Sequence, residues 1–67
     1  MTDKLEDWQQ RVVDEQSELF DRLEKLVEFT GSAKFKELPA DKQEQLVQQA
    51  HHMNAYNDIL TARIEAF

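Results

Sequence analysis

Leu5, Val12, Leu19 and Leu26 recur every seven residues, and that period commits the N-terminal half of the chain to a helix. A half-buried strand would alternate every second residue instead. Trp8, Val13, Phe20, Leu23, Val27 and Phe29 widen the line into a stripe broader than the seam of a two-stranded coiled coil. A helix with so wide an apolar face must lie against more than one neighbour. Thr2 or Asp3 can cap its start, and Glu6 and Asp7 suit the positive end of the helix dipole. Gly31 follows Thr30 where a left-handed C-cap is expected. The pattern predicts a first helix over roughly residues 4–29.

Residues 32–38, with Phe35 and Leu38 one turn apart, read as a short helical or 3₁₀ connector whose two apolar groups plug the end of a hairpin. Pro39 suits the first turn of a new helix, where its missing N–H costs nothing. From there Leu46, Ala50, Met53, Asn57, Leu60, Ile64 and Phe67 step by three and four, with Val47, Tyr56, Ile59 and Arg63 beside them. The last element is expected from about residue 40 to the C-terminus. Each long helix is then roughly 37 Å long, and a short connector makes the two antiparallel. The expected fold is all-α: one helical-hairpin domain over residues 1–67, assembling into a homo-oligomeric bundle.

Self-association follows from size. Sixty-seven residues cannot build a large core alone, and the usual aids are disulfides, a metal or oligomerisation. Cysteine is absent, which removes disulfides and thiolate metal sites and leaves the redox compartment open. Trp8, Val13, Phe20 and Tyr56 are surplus apolar surface on a single hairpin and ask for a partner. A single Gly, a single Pro and plentiful Glu, Gln, Leu, Lys and Ala all favour helix. The net charge of −6 argues against long DNA or RNA as a partner, although two or three local cations suffice for a small anion. No apolar run approaches the ~20 residues of a membrane span. The first seven residues lack the basic and apolar regions of a signal peptide, so a cytoplasmic location is expected.

Motifs for chemistry are few. His51 and His52 are adjacent on a helix and point about 100° apart, whereas a helical metal pair needs a spacing of three or four. They read as surface or interface histidines, and no metal or cofactor is expected. The carboxylates of the first helix lie on its solvated face, where Glu18–Arg22 and Asp21–Lys25 have the spacing of helix-supporting pairs. No phosphate loop, nucleophile elbow or nucleophile–base pair occurs, so catalysis is not expected. The informative set is Arg11, Arg22, Lys25 and Arg63 beside the apolar stripe. Cations flanking aromatics at an oligomer interface suit phosphates with a stacked base, and Trp8 shares a helical face with Arg11. The plain alternative is a core tryptophan ringed by snorkelling cations.

A family resemblance sharpens this reading. Gln10-Arg11-Val12-Val13-Asp14-Glu15, Leu19, Leu23, Lys25-Leu26 and Phe29, followed by Phe35, Leu38, Leu46, Gln49, Met53, Tyr56, Leu60, Arg63-Ile64 and Phe67, resemble the second-described type of small phage anti-CBASS sponge. The likeness runs from about residue 9 to 67 and is diffuse, carried by ordered combination rather than by any one motif. It implies a compact helical homo-oligomer, typically a hexamer, in the cytoplasm of an infected bacterium. Such proteins bind the cyclic oligonucleotide messengers of antiphage signalling without degrading them. In the family, cyclic dinucleotides sit between protomers on an N-terminal aromatic and a first-helix lysine, and cyclic trinucleotides use a separate site with a C-terminal-helix arginine. The resemblance assigns the lysine to Lys25 and the arginine to Arg63. Trp8 stands for the stacking aromatic, with Gln10 as the other alignment of that position. Val27 falls where a hydroxyl residue helps the trinucleotide site, with Thr30 as its substitute, and Arg11 joins the set from its place beside Trp8.

Two other classes stay open. An acidic helical module, DNA-mimicking or otherwise, can dock a host protein through its apolar stripe. An enzyme would need a site assembled between protomers.

Overall fold

The computed structural model describes residues 4–67, and Thr2 and Asp3, the expected caps, lie outside that range. Helix α1 spans Asp7–Thr30, α2 spans Ala33–Lys36 and α3 spans Ala40–Glu65. The described residues contain no strand. α1 and α3 pack along one another as a hairpin with α2 across its end, giving a rod of 53 × 16 × 15 Å.

α1 starts later than its apolar period suggests. Leu5 continues the seven-residue line but sits outside the helix and is exposed. The start is set by Glu6, whose backbone N–H donates to Oε1 of Gln9 at 2.8 Å. That bond satisfies one of the amides orphaned at a helix N-terminus. The far end also differs from expectation. Gly31 adopts φ −92°, ψ 0°, not the left-handed region. Two tight turns close the helix instead: the Gly31 N–H reaches the Glu28 carbonyl at 3.2 Å and the Ser32 N–H reaches that of Phe29 at 2.9 Å. Ser32 then caps α2, its Oγ accepting from the Phe35 N–H at 3.3 Å. One residue therefore ends one helix and its neighbour starts the next.

Phe35 is buried and meets Phe29 edge to face at 6.1 Å, so the expected plug is in place. Leu38 is half-buried beside it. Pro39 is the N-cap of α3, and its carbonyl accepts from the N–H groups of Lys42 and Gln43 at 3.0 Å each. The Gln43 side chain turns back to the Leu38 carbonyl at 2.8 Å and ties the connector to α3.

The seam between α1 and α3 is thin. Among the described residues Val12, Leu23, Phe35 and Leu60 are the buried apolar ones, and Leu60 alone is fully buried. Leu19, Leu26, Leu46, Ala50, Met53 and Ile64 line the seam half-buried. Gln16 donates to Asn57 at 2.9 Å in mid-seam, a polar bond that favours one alignment of the two helices over a one-turn slip. Of the two expected ion pairs, Asp21–Lys25 forms at 3.1 Å. Glu18–Arg22 does not: it is absent from the ion pairs of the described residues, as exposed pairs gain little against side-chain entropy.

A second cross-helix bond is at the surface, where the Tyr56 O–H donates to the Glu15 carboxylate. That hydrogen bond raises the Tyr56 pKa above the ordinary value of 10.0. Desolvation and the charge of Glu15 push the same way, and Arg63 opposes them. A tyrosine whose folded pKa is raised contributes its full stability below the unfolded value and loses it as pH rises through the folded one. Wild-type thermal midpoints are therefore expected to drop above pH ~10, and Tyr56→Phe to lack that part of the drop. Melting curves from pH 8 to 11 measure both.

Candidate ligand-binding site

A helix turns 100° per residue, so α1 and α3 each present two flanks beside the seam. On one side of the hairpin, α1 carries Trp8, Arg11, Glu15 and Arg22, and α3 carries Tyr56, Ile59, Arg63 and Phe67. Cross-helix contacts confirm the match: Trp8 meets Phe67 edge to face at 5.3 Å, and Glu15 meets Tyr56. On the other side Val13, Phe20 and Val27, seven residues apart on α1, run beside Val47 of α3. Phe20, Val27 and Val47 are each about half exposed, at 49%, 53% and 52%, and Val13 is half-buried. One side is aromatic and charged; the other is an apolar stripe.

The sequence-predicted residues fall at two ends of the rod. Trp8, Arg11 and Arg63 gather at the open end. Trp8 is 54% exposed, so its ring is held by Phe67 yet keeps a free face. Within the single hairpin it is therefore not a core tryptophan. Arg11 and Arg63 are exposed and take part in no ion pair among the described residues, which leaves both guanidiniums available to an anion. Gln10 is committed elsewhere, donating to Asp14 at 3.0 Å.

Lys25 and Thr30 lie toward the connector. Seventeen residues of unbroken helix separate Trp8 from Lys25, about 25 Å at 1.5 Å per residue. Lys25 is exposed and paired with Asp21. Thr30 donates its hydroxyl to the Val27 carbonyl at 2.7 Å, a satisfied helix-end bond that still leaves its oxygen able to accept. Val27 itself points to the apolar side. No single hairpin brings Lys25 and Trp8 onto one small ligand.

Phe67 and Tyr56 belong to the open-end cluster and were read from sequence only as seam or surplus apolar residues. Their role depends on which α1 residue each faces, and no spacing within α3 shows that. Near the connector, Leu38, Pro39, Lys42, Gln45, Leu46 and Gln49 line a shallow groove of about 520 Å³, which holds none of the predicted site residues. His51 and His52 are exposed with their rings edge to face at 6.0 Å. The described residues contain no group of three metal-ligating side chains, and none of the described helices is long and apolar enough to cross a membrane.

No curated protein and no solved structure matches the chain. The Sequestin family model matches residues 6–66, which takes in all three helices and both ends of the rod. The chain belongs to the Sequestin family.

Proposed function

We propose that this protein is a phage-encoded sponge that binds cyclic di- and trinucleotide messengers intact and so blocks CBASS-type antiphage signalling in the bacterial cytoplasm. The observation that carries the reading is the open-end cluster. In a chain of net charge −6, two guanidiniums without an ion pair among the described residues lie at the same end as an exposed aromatic pair. Guanidiniums make short charge-assisted bonds to phosphate, and a base stacked on an aromatic ring adds about 1–3 kcal/mol. Membership of a family named for sequestration supports binding over turnover.

The separation of Trp8 from Lys25 supports pockets shared between copies. Trp8 of one protomer meets Lys25 of another across a dinucleotide, while Arg63 serves a distinct trinucleotide site with Thr30 supplied from a second copy. A symmetric interface presents the same donors twice and suits a ligand with two phosphates. The apolar side of Val13, Phe20, Val27 and Val47 is the face that self-association covers, with a homohexamer as the assembly.

A thermal-shift titration with cyclic di- and trinucleotides tests this. Saturating ligand at ~100 Kd is worth about 2.7 kcal/mol, or roughly 10 °C or more in a chain this small. Lys25→Ala is expected to remove the dinucleotide response and keep the trinucleotide one, and Arg63→Ala the reverse. Absence of any shift in the wild type would refute the sponge. The exposed apolar stripe favours one other reading, a helical inhibitor that docks a host protein. A monomer in solution that fails to bind any cyclic nucleotide is its signature.

A further inference from the structure

Three pairs of residues follow one another along the charged side of the hairpin. Trp8 faces Phe67 at 5.3 Å, and Glu15 receives the Tyr56 hydroxyl. Arg11 lies one turn from both Trp8 and Glu15 on α1, and Arg63 lies one turn from Phe67 and two from Tyr56 on α3. The two arginines therefore come level between the other pairs. The side reads, from the open end inward, as an aromatic rung, a cationic rung and an acid–phenol rung. Successive levels are about 4.5 and 6 Å apart on α1 and about 6 and 10.5 Å apart on α3, at 1.5 Å per residue.

In a cyclic oligonucleotide each phosphate lies between two nucleosides. In the trinucleotide site, a phosphate on Arg63, with Arg11 level beside it, sends a neighbouring base inward toward Glu15 and Tyr56. The chemistry of that last rung is one-sided. A carboxylate only accepts hydrogen bonds, and the Tyr56 proton is already given to Glu15, so the rung offers lone pairs and no donor. Uracil brings two carbonyl oxygens that flank its single N–H and meet those lone pairs unfavourably. Adenine, guanine and cytosine each bring an exocyclic amine, for which a carboxylate is a natural acceptor.

We propose that Glu15, positioned by Tyr56, selects messengers whose base at this place carries an exocyclic amine and disfavours uracil there. The inference rests on the sponge reading and adds its base specificity. Glu15 is exposed and Tyr56 43% exposed, so the discrimination is on the order of tenfold, the low end for a base read by one side chain.

Calorimetric titration with cyclic tri-adenylate and cyclic tri-uridylate tests it on the wild type, Glu15→Gln and Tyr56→Phe. The wild type is expected to bind the adenylate about tenfold more tightly. Glu15→Gln, whose amide donates as well as accepts, is expected to bring the ratio near one. Tyr56→Phe keeps the carboxylate and is expected to keep a preference. A purely structural tie between the helices would instead lower the melting midpoint in both variants and leave the ratio of affinities unchanged. Equal wild-type affinity for the two ligands, or an unchanged ratio in Glu15→Gln, overturns base selection while the sponge stands. Binding of neither ligand by the wild type overturns base selection together with the trinucleotide site on which it rests.

Discussion

Leu60→Ala is expected to leave most of the protein unfolded at room temperature. Leu60 is the one fully buried side chain among the described residues, and truncating a buried leucine costs about 2–5 kcal/mol from lost transfer energy and the cavity left behind. A core this small rarely supplies more than about 3–5 kcal/mol by itself. The loss is therefore comparable to everything the hairpin's own seam contributes. The neighbouring residue is the natural control. Ile59 is 58% exposed, and Ile59→Ala is expected to change stability by about 0.5 kcal/mol or less, as surface substitutions do. Urea titration of the helical circular dichroism signal compares the two. Similar midpoints for both variants would contradict the placement of α3 against α1.

Phe20→Asp combined with Val27→Lys is expected to convert the proposed homo-oligomer to monomers. Phe20 and Val27 sit seven residues apart in the middle of the apolar stripe and are about half exposed in the single hairpin. If a second copy covers them, each charge must be desolvated or the interface must open, and isolated charges are not buried at tolerable cost. Because the single hairpin has so little core, separation is expected to lower the thermal midpoint as well as the mass. Sedimentation equilibrium of wild type and variant reads the change. A wild type already monomeric at high concentration would contradict coverage of the stripe by a second copy. Opposite charges at the two positions keep the net charge unchanged, so altered self-repulsion does not explain a loss of mass.

Much of the architecture was legible in the pattern of residues. The sevenfold recurrence of Val12, Leu19 and Leu26 and the three-four stepping through Leu46, Met53, Leu60 and Ile64 mark helices with one apolar face. Gly31, Ser32 and Pro39 mark the connector between them. The helix ends were less legible because caps compete. Leu5 continues the apolar line, but the Glu6–Gln9 bond is a local contest that periodicity does not register. Gly31 is compatible with a left-handed cap, yet Ser32 is needed immediately to start α2, and a tight turn lets both residues serve.

The candidate site was half legible, for a different reason. Arg11, Lys25 and Arg63 stand out as cations on a stripe, and Trp8 as an aromatic beside one of them. That Trp8, Arg11 and Arg63 fall at one end of the rod while Lys25 lies a long helix away depends on the register of α1 against α3. Glu15 and Tyr56 are 41 residues apart in sequence, and nothing within either helix says that they touch. Register is a property of the seam as a whole: the Gln16–Asn57 bond, the Trp8–Phe67 contact and the buried Leu60 set it together. Phe67 was accordingly read as one more apolar step in α3, when it is the ring that holds Trp8.

Sequestration of an intact messenger is measured by a retention assay. Protein in slight excess is incubated with a cyclic dinucleotide or trinucleotide, passed through a filter that holds the protein, then heat-denatured so that retained ligand can be chromatographed. Ligand is expected to stay with the protein and to return on denaturation with its retention time unchanged. Ligand that passes freely through the filter, or that returns as linear products, would contradict sequestration.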